Sequence, residues 1–531
     1  MRKILFSCFL MILSPQYVDA RDRYLRNPHA DVLHYEFTLR ISNNTDSVYG
    51  KALINVKFRN EPENISFDLI TINSAGKGMS VSGVTLNGKD LFWQHEENRL
   101  TISLESVTGI IDTLAFLIEY NGIPADGLII SKNKFGNRTI FADHWPDRAQ
   151  NYLPCIDHPY DKASVDFIII APDPYKIIAN GNLIEESDLP GEMTVTHWSE
   201  KVPIATKVMA FGAASFAIQS VGSVNDVPVW TWVFPENRNE GFFDYSVALK
   251  PLAYYSELIG DYPYGKLANV QSKTIYGGLE NAGTIFYSER SVTGKGKAGR
   301  LIAHEIAHQW FGNSVTENDW HHIWLSEGFA TYLTSMYFES FMGNERLKTD
   351  MISDREDVIK YHEKNKKPVI DTSVVDFMDL LNTNSYKKGA WVLHMLRHET
   401  GDEAFIKGLQ LYYSQFSDSN AVTSDFQNVM ESVSGLGLDK FFRQWLYMSG
   451  HPELKITVEK GKKKGEMDIH IEQKQENLFE FNLELLVKSS TGENLVKTFI
   501  DKKTTSISIP AAENIEIVPD PEVHLLFKKI F

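Results

Sequence analysis

Cysteine is nearly absent: 531 residues contain two, Cys8 and Cys155. A disulfide framework is thereby excluded, and stability has to come from large hydrophobic cores. Positive charge is also in deficit, with 53 Lys and Arg against 69 Asp and Glu and a formal charge of −16. Such a field repels phosphate backbones and acidic lipid, so nucleic acid is not an expected partner. Long apolar runs are missing too. The longest opens the chain, from Ile4 to Leu13, and is about half the ~20 residues that a membrane-spanning helix needs. Arg2 and Lys3 precede it and Val18-x-Ala20 follows it, so residues 1–20 read as a signal peptide. The mature chain is expected to be exported, periplasmic or secreted, without a transmembrane segment. Cys155 reads as a buried thiol.

What is present is 43% hydrophobic residues in a chain long enough for several cores. From about residue 30 to 215 the apolar residues alternate: Tyr35, Phe37, Leu39, Ile41, then Ala52, Ile54, Val56, Phe58, then Ile65, Phe67, Leu69, then Leu100, Ile102, Leu104. Period two predicts antiparallel strands, with turns at Asn87-Gly88 and Asn121-Gly122. After Phe234-Pro235 the period lengthens. Helices are expected over 300–311, closed by Gly312-Asn313, and over 324–342, stopped by Gly343, with Phe329, Leu333, Met336, Tyr337 and Phe341 on one face. Another is expected from Ser424 to Gly435, with Gln427 completing a capping box. Alternation returns beyond Gly450-His451-Pro452, where the basic run Lys460–Lys464 reads as a solvated hairpin tip. The expected fold class is multidomain α+β. Its parts are a signal peptide (1–20), an N-terminal antiparallel β sandwich or saddle (21–215), a mainly helical catalytic domain (216–450) and a small C-terminal β sandwich (451–531).

His304-Glu305-Ile306-Ala307-His308 falls inside the first of these helices. Histidines four apart project from one face, so both imidazoles can reach a single Zn²⁺ at about 2.0–2.1 Å, with Glu305 beside the metal's water as base. The zinc clan with a third histidine needs Gly at 311 and His at 314; here those are Phe311 and Ser314. A carboxylate must complete the site, and Glu327, at the start of the next helix, is the candidate ligand. Three protein ligands plus water define a catalytic rather than a structural zinc site.

These residues, taken with the flanking Gln309-Trp310-Phe311-Gly312-Asn313, Trp324-Leu325-x-Glu327-Gly328-Phe329-Ala330, Gly277-Gly278-Leu279-Glu280-Asn281 and Tyr386-Lys387-Lys388-Gly389, resemble the aminopeptidase N family of zinc peptidases, which are gluzincins. The resemblance implies a thermolysin-like catalytic domain, one Zn²⁺ per chain, and hydrolysis of the N-terminal peptide bond of peptides with a free N-terminus. By the same resemblance Glu280 holds the substrate's α-ammonium, Gly277 and Gly278 let the substrate backbone approach, and Tyr386 donates to the oxyanion. Many family members carry a large C-terminal helical domain over the active site. This chain ends after the small β domain, which implies an open cleft that admits longer peptides. The family's N-terminal substrate contact has no clear counterpart here, Asp143 being the nearest. His321, His322, His394 and His398 lack a matching spacing and receive no role. The alternatives are an endopeptidase, a dual-function enzyme of the leukotriene-hydrolase type, or a non-catalytic peptide-binding protein; oligomeric state is left open.

Overall fold

The computed structural model describes residues 22–107, 113–490 and 492–531. The expected signal peptide and Cys8 lie outside them. Alternation in the first part folds as strands whose apolar side is buried. Tyr35, Phe37 and Leu39 on Ala30–Arg40, and Ala52, Ile54 and Val56 on Val48–Phe58, are all buried. These two strands sit near the centre of an eight-stranded sheet, between Ala163–Pro172 and Thr113–Ile123. Pairing is antiparallel except between Ala30–Arg40 and Ala163–Pro172, which run parallel. A four-stranded sheet ending in Leu128–Lys132 and a three-stranded one share its core, which encloses Cys155.

One of the two expected turns is a turn. Asn87 and Gly88, both with positive φ (51° and 76°), join Gly78–Leu86 to Lys89–Asp90 as a two-residue hairpin. Asn121-Gly122 instead lies within the strand Thr113–Ile123. A Cβ on Gly122 would meet the Gly78 carbonyl oxygen at 2.0 Å, so this glycine serves close strand approach rather than chain reversal.

From residue 217 the chain builds a five-stranded mixed sheet in the order Ala217–Val224, Val227–Val233, Leu267–Ser272, Thr284–Ser288, Gly278–Leu279, which leaves Gly278–Leu279 on the edge. The helices of this part are α1 (Arg238–Tyr245), α2 (Leu249–Leu258) and α3 (Gly299–Ala307), which contact the sheet, and α4 (Trp324–Met342), α5 (Asn344–Lys364), α6 (Gly389–Thr400), α7 (Asp402–Phe416) and α8 (Thr423–Ser434), which pack on one another and on α3. No described helix is long and apolar enough to cross a membrane.

Three local expectations need correction. Helix α3 ends at Ala307, and the chain turns through Trp310 and Phe311 before Gly312. Helix α4 has the expected span and stop, with Gly343 at φ 83°, but Phe341 is 60% exposed. Its first half is buried on every side instead, from Trp324 to Ala330, because this helix runs through the core rather than over it. Helix α8 has its capping box two residues earlier than expected: the N-cap is Val422, not Ser424, and its N–H donates to Asp425 Oδ2 (2.8 Å), the reciprocal bond expected of Gln427.

The last eighty residues form a four-stranded and a three-stranded sheet. Glu453–Lys460 pairs with Glu466–Gln473, so the basic run occupies the hairpin between them. Leu454, Ile469 and Ile471 belong to the same hydrophobic cluster as Trp391 of α6 and Phe405 of α7. Helices α6 and α7 and the C-terminal sheets therefore share one core.

Candidate active site

Helix α3 carries His304 and Glu305, and His308 closes it as the C-cap. Helix α4 packs against α3 and brings Glu327 from its first turn to the two imidazoles. Three atoms converge: His304 Nε2 lies 3.2 Å from His308 Nε2 and 3.5 Å from Glu327 Oε2, and His308 Nε2 lies 3.2 Å from the same oxygen. A zinc ion with ligands at about 2.0–2.1 Å in a tetrahedron requires edges of about 3.3 Å, so this triangle fits the ion. Glu327 Oε2 is buried with no hydrogen-bond donor of its own, a cost that a bound cation removes.

His308 is oriented from behind. His308 Nδ1 donates to the Phe311 carbonyl (3.3 Å), which assigns the proton to Nδ1 and leaves the Nε2 lone pair facing the triangle. Ser326 Oγ lies 3.1 Å from the same nitrogen. Only glycine fits the turn that permits this. Gly312 has φ 119°, and a Cβ there would sit 2.3 Å from Ser326 Oγ and 3.0 Å from His308 Nδ1.

Glu305 is buried beside His304, His308 and Glu327. Burial, reinforced by the charges of Glu280 and Glu327, holds its carboxyl well above the ordinary range, where it can take up a proton. Tyr386 occupies a π-helical turn, Asn384–Lys388, leading into α6, and its ring stacks at 6.0 Å on His304. Burial and the nearby carboxylates keep its phenol protonated far above neutral pH, so it is a donor.

Glu280 follows the edge strand Gly278–Leu279 and lines the same cavity of about 230 Å³ as His304, His308, Glu327 and Tyr386. Its Oε1 is buried and unpartnered, an unused acceptor aimed at a donor the chain does not supply. The glycines before it differ. A Cβ on Gly278 would overlap Glu305 Oε1 at 2.2 Å, so Gly278 makes room for the Glu305 carboxyl, whereas a Cβ on Gly277 would touch only Leu301 at 3.7 Å.

Several residues of this site carry no signal in motif spacing. Gln309 Nε2 (2.9 Å) and Asn313 Nδ2 (2.6 Å) both donate to the Glu280 backbone carbonyl, tying Glu280 to the turn after α3. Their place in the flanking motif Gln309-Trp310-Phe311-Gly312-Asn313 was the available clue. Asp143 is fully buried, is paired with Arg148, and accepts from Thr274 Oγ1 (2.8 Å) and Ile275 N (3.2 Å). It therefore fixes the segment leading to Gly277. Trp145, Tyr276 and Leu381 form apolar walls of the cavity. His322 bonds Thr423 Oγ1 (2.8 Å), and His394 bridges Tyr332 and the Val523 carbonyl, both as parts of the core.

Residues 31–208 match the Peptidase M1 N-terminal domain and residues 243–445 the Peptidase family M1 domain. A leucyl aminopeptidase of Saccharolobus solfataricus is 26% identical over 453 residues, which is 80% of this chain and 54% of that protein. Aminopeptidase M1-D of Oryza sativa subsp. japonica is 30% identical over 343 residues, 62% of this chain and 38% of the relative. Glutamyl aminopeptidase of Homo sapiens is 29% identical over 339 residues, 60% and 35% respectively. The chain thus spans about half, or less, of the length of these relatives.

Proposed function

The chain belongs to peptidase family M1, and from that premise we propose that it is a zinc-dependent aminopeptidase acting on peptides with a free α-ammonium. The observation that carries the reading is the buried, unpartnered Oε1 of Glu280 in the same cavity as the His304, His308 and Glu327 triangle. An anionic anchor beside a metal admits a charged amine terminus and excludes a mid-chain amide.

His304, His308 and Glu327 would hold one Zn²⁺, which when bound supplies Lewis acidity and a water of pKa near 7. Glu280 binds the α-ammonium and sets which carbonyl reaches the ligand set. Gly278–Leu279 is the edge strand of its sheet, so an extended substrate can add to it as a further strand. Glu305 takes a proton from the attacking water and returns it to the departing amine. Tyr386 donates to the carbonyl oxygen as it becomes tetrahedral. We read the five-stranded sheet with α3 and α4 as a thermolysin-like unit, and the flanking β portions as sandwiches. Export, suggested by Arg2, Lys3 and the apolar run after them, completes the proposal; the mature N-terminal sequence of the exported product tests it.

The reaction itself is tested with a panel of aminoacyl and N-blocked chromogenic substrates, with and without chelator. Hydrolysis of free-amine substrates alone, lost on chelation and restored by Zn²⁺, is expected. Equal cleavage of N-blocked substrates would overturn the role of Glu280, and full activity in chelator would overturn the metal.

A further inference from the structure

A second group of metal-type donors lies away from the active site, where α6 meets the C-terminal sheets. His398 is on the last turn of α6, Glu484 on the strand Phe481–Ser489, and His524 in the turn after Glu516–Pro519. One donor atom from each lies within 4.8 Å of the others. The imidazoles of His398 and His524 stack at 3.9 Å, and His524 Nδ1 lies 3.6 Å from Glu484 Oε2.

Two observations set this group apart from a surface coincidence. His524 Nδ1 is buried and has no hydrogen-bond partner, the condition also found at Glu327 Oε2 in the active site. The backbone that delivers His524 is held in a costly shape: Val523, β-branched, has φ 64°. His394 Nε2 holds the Val523 carbonyl (2.8 Å), and Asp520, itself paired with Arg355 (3.0 Å), accepts from the His524 N–H (2.6 Å). His524 is therefore fixed in place. Glu484 is buried and divides its two oxygens, one on Lys497 (2.5 Å) and the other facing His524.

We propose that His398, Glu484 and His524 form a second binding site for a zinc-class divalent ion that staples α6 to the C-terminal sheets. Two imidazoles and one carboxylate suit Zn²⁺ and its neighbours, whereas Ca²⁺ and Mg²⁺ require oxygen ligands. Binding needs the donor atoms to close from 4.8 Å towards about 3.3 Å. His398 supplies that movement, because its side chain is exposed and free to turn off the stack. A cavity of about 270 Å³ lined by both histidines lies beside the group.

The proposal is independent of the peptidase reading, and the test keeps the two apart. The full chain is stripped with chelator, dialysed against buffered Zn²⁺ and its metal content measured. The wild type is expected to hold two equivalents. His398→Ala with His524→Ala should hold one, with unchanged peptide hydrolysis. His304→Ala with His308→Ala should also hold one, and Zn²⁺ should still raise its melting temperature. His398→Ala alone, at an exposed position, gives the same one-equivalent result should the double variant fold poorly. A single wild-type equivalent that His304→Ala with His308→Ala abolishes, or two retained in His398→Ala, overturns the site and leaves the buried nitrogen to a bridging water.

Discussion

Gly328 of α4 and Gly389 of α6 meet backbone to backbone: a Cβ on Gly328 would lie 3.0 Å from the Cα of Gly389. Each glycine is next to a turn that carries chemistry, Glu327 on one side and the Asn384–Lys388 turn with Tyr386 on the other. The contact therefore sets how closely the phenol approaches the ligand set. Gly389→Ala should push α6 away, because backbone cannot yield as a flexible side chain does, at a cost of about 1–3 kcal/mol. A displacement of a few tenths of an ångström at Tyr386 should lower kcat by about 10-fold with KM little changed. Steady-state kinetics with a melting curve check this; wild-type kcat in a destabilised variant would uncouple the glycine pair from Tyr386.

In the proposed reaction Glu305 moves protons and Tyr386 stabilises the oxyanion, so their conservative variants should differ in size of effect. Glu305→Gln removes the proton carrier and should lower kcat by about 10²- to 10⁴-fold, with metal content unchanged because Glu305 is not in the ligand triangle. Tyr386→Phe removes one donor to the oxyanion and should lower kcat by about 10²- to 10³-fold. Rates plus metal analysis of each variant decide the roles. Wild-type turnover in both would reject them.

Much of this arrangement was legible in the sequence because it depends on local periodicity. The alternation of Tyr35, Phe37 and Leu39 reports a half-covered strand wherever that strand packs, and the i,i+4 spacing of His304 and His308 forces both rings to one face. What stayed hidden depends on partners distant in sequence. Asn121-Gly122 has turn chemistry, but Gly78 lies against it, and a strand results. Phe341 has the right spacing for the buried face of α4, yet that helix emerges from the core before reaching it. Gly278 reads as space for substrate, and only the fold shows Glu305 filling that space. The hold of Gln309 and Asn313 on the Glu280 carbonyl spans about thirty residues, and amide side chains do not announce their acceptors.

Ser326 approaches the side of His308 that faces away from the ligand triangle. Ser326→Ala leaves the Phe311 carbonyl as the remaining partner of Nδ1, at 3.3 Å, so the ring should lose part of its orientation. Zinc affinity is expected to fall by about 10-fold, the low end for such outer partners. Competition with a chromophoric chelator reads this directly, without reference to turnover. An unchanged dissociation constant would show that Phe311 alone suffices.

His144 links two parts of the N-terminal β region, with Nδ1 donating to the Thr206 carbonyl (3.1 Å) and Nε2 accepting from Tyr152 OH (2.7 Å). Both bonds need the neutral ring, and burial lowers its pKa from the ordinary 6.5 to about 3. Between those values the unfolded chain binds a proton that the folded chain refuses. Stability is thus present above about pH 6.5 and is lost as pH falls towards 3. His144→Gln retains an amide donor and acceptor and cannot titrate. It should be less stable than wild type at pH 7.5, and its melting temperature should fall less steeply on acidification, the difference approaching about 1.4 kcal/mol per pH unit in that window. Melting temperatures from pH 7.5 down to 4 test the sign as well as the size. Parallel curves for the two proteins would mean that His144 is protonated in the folded chain.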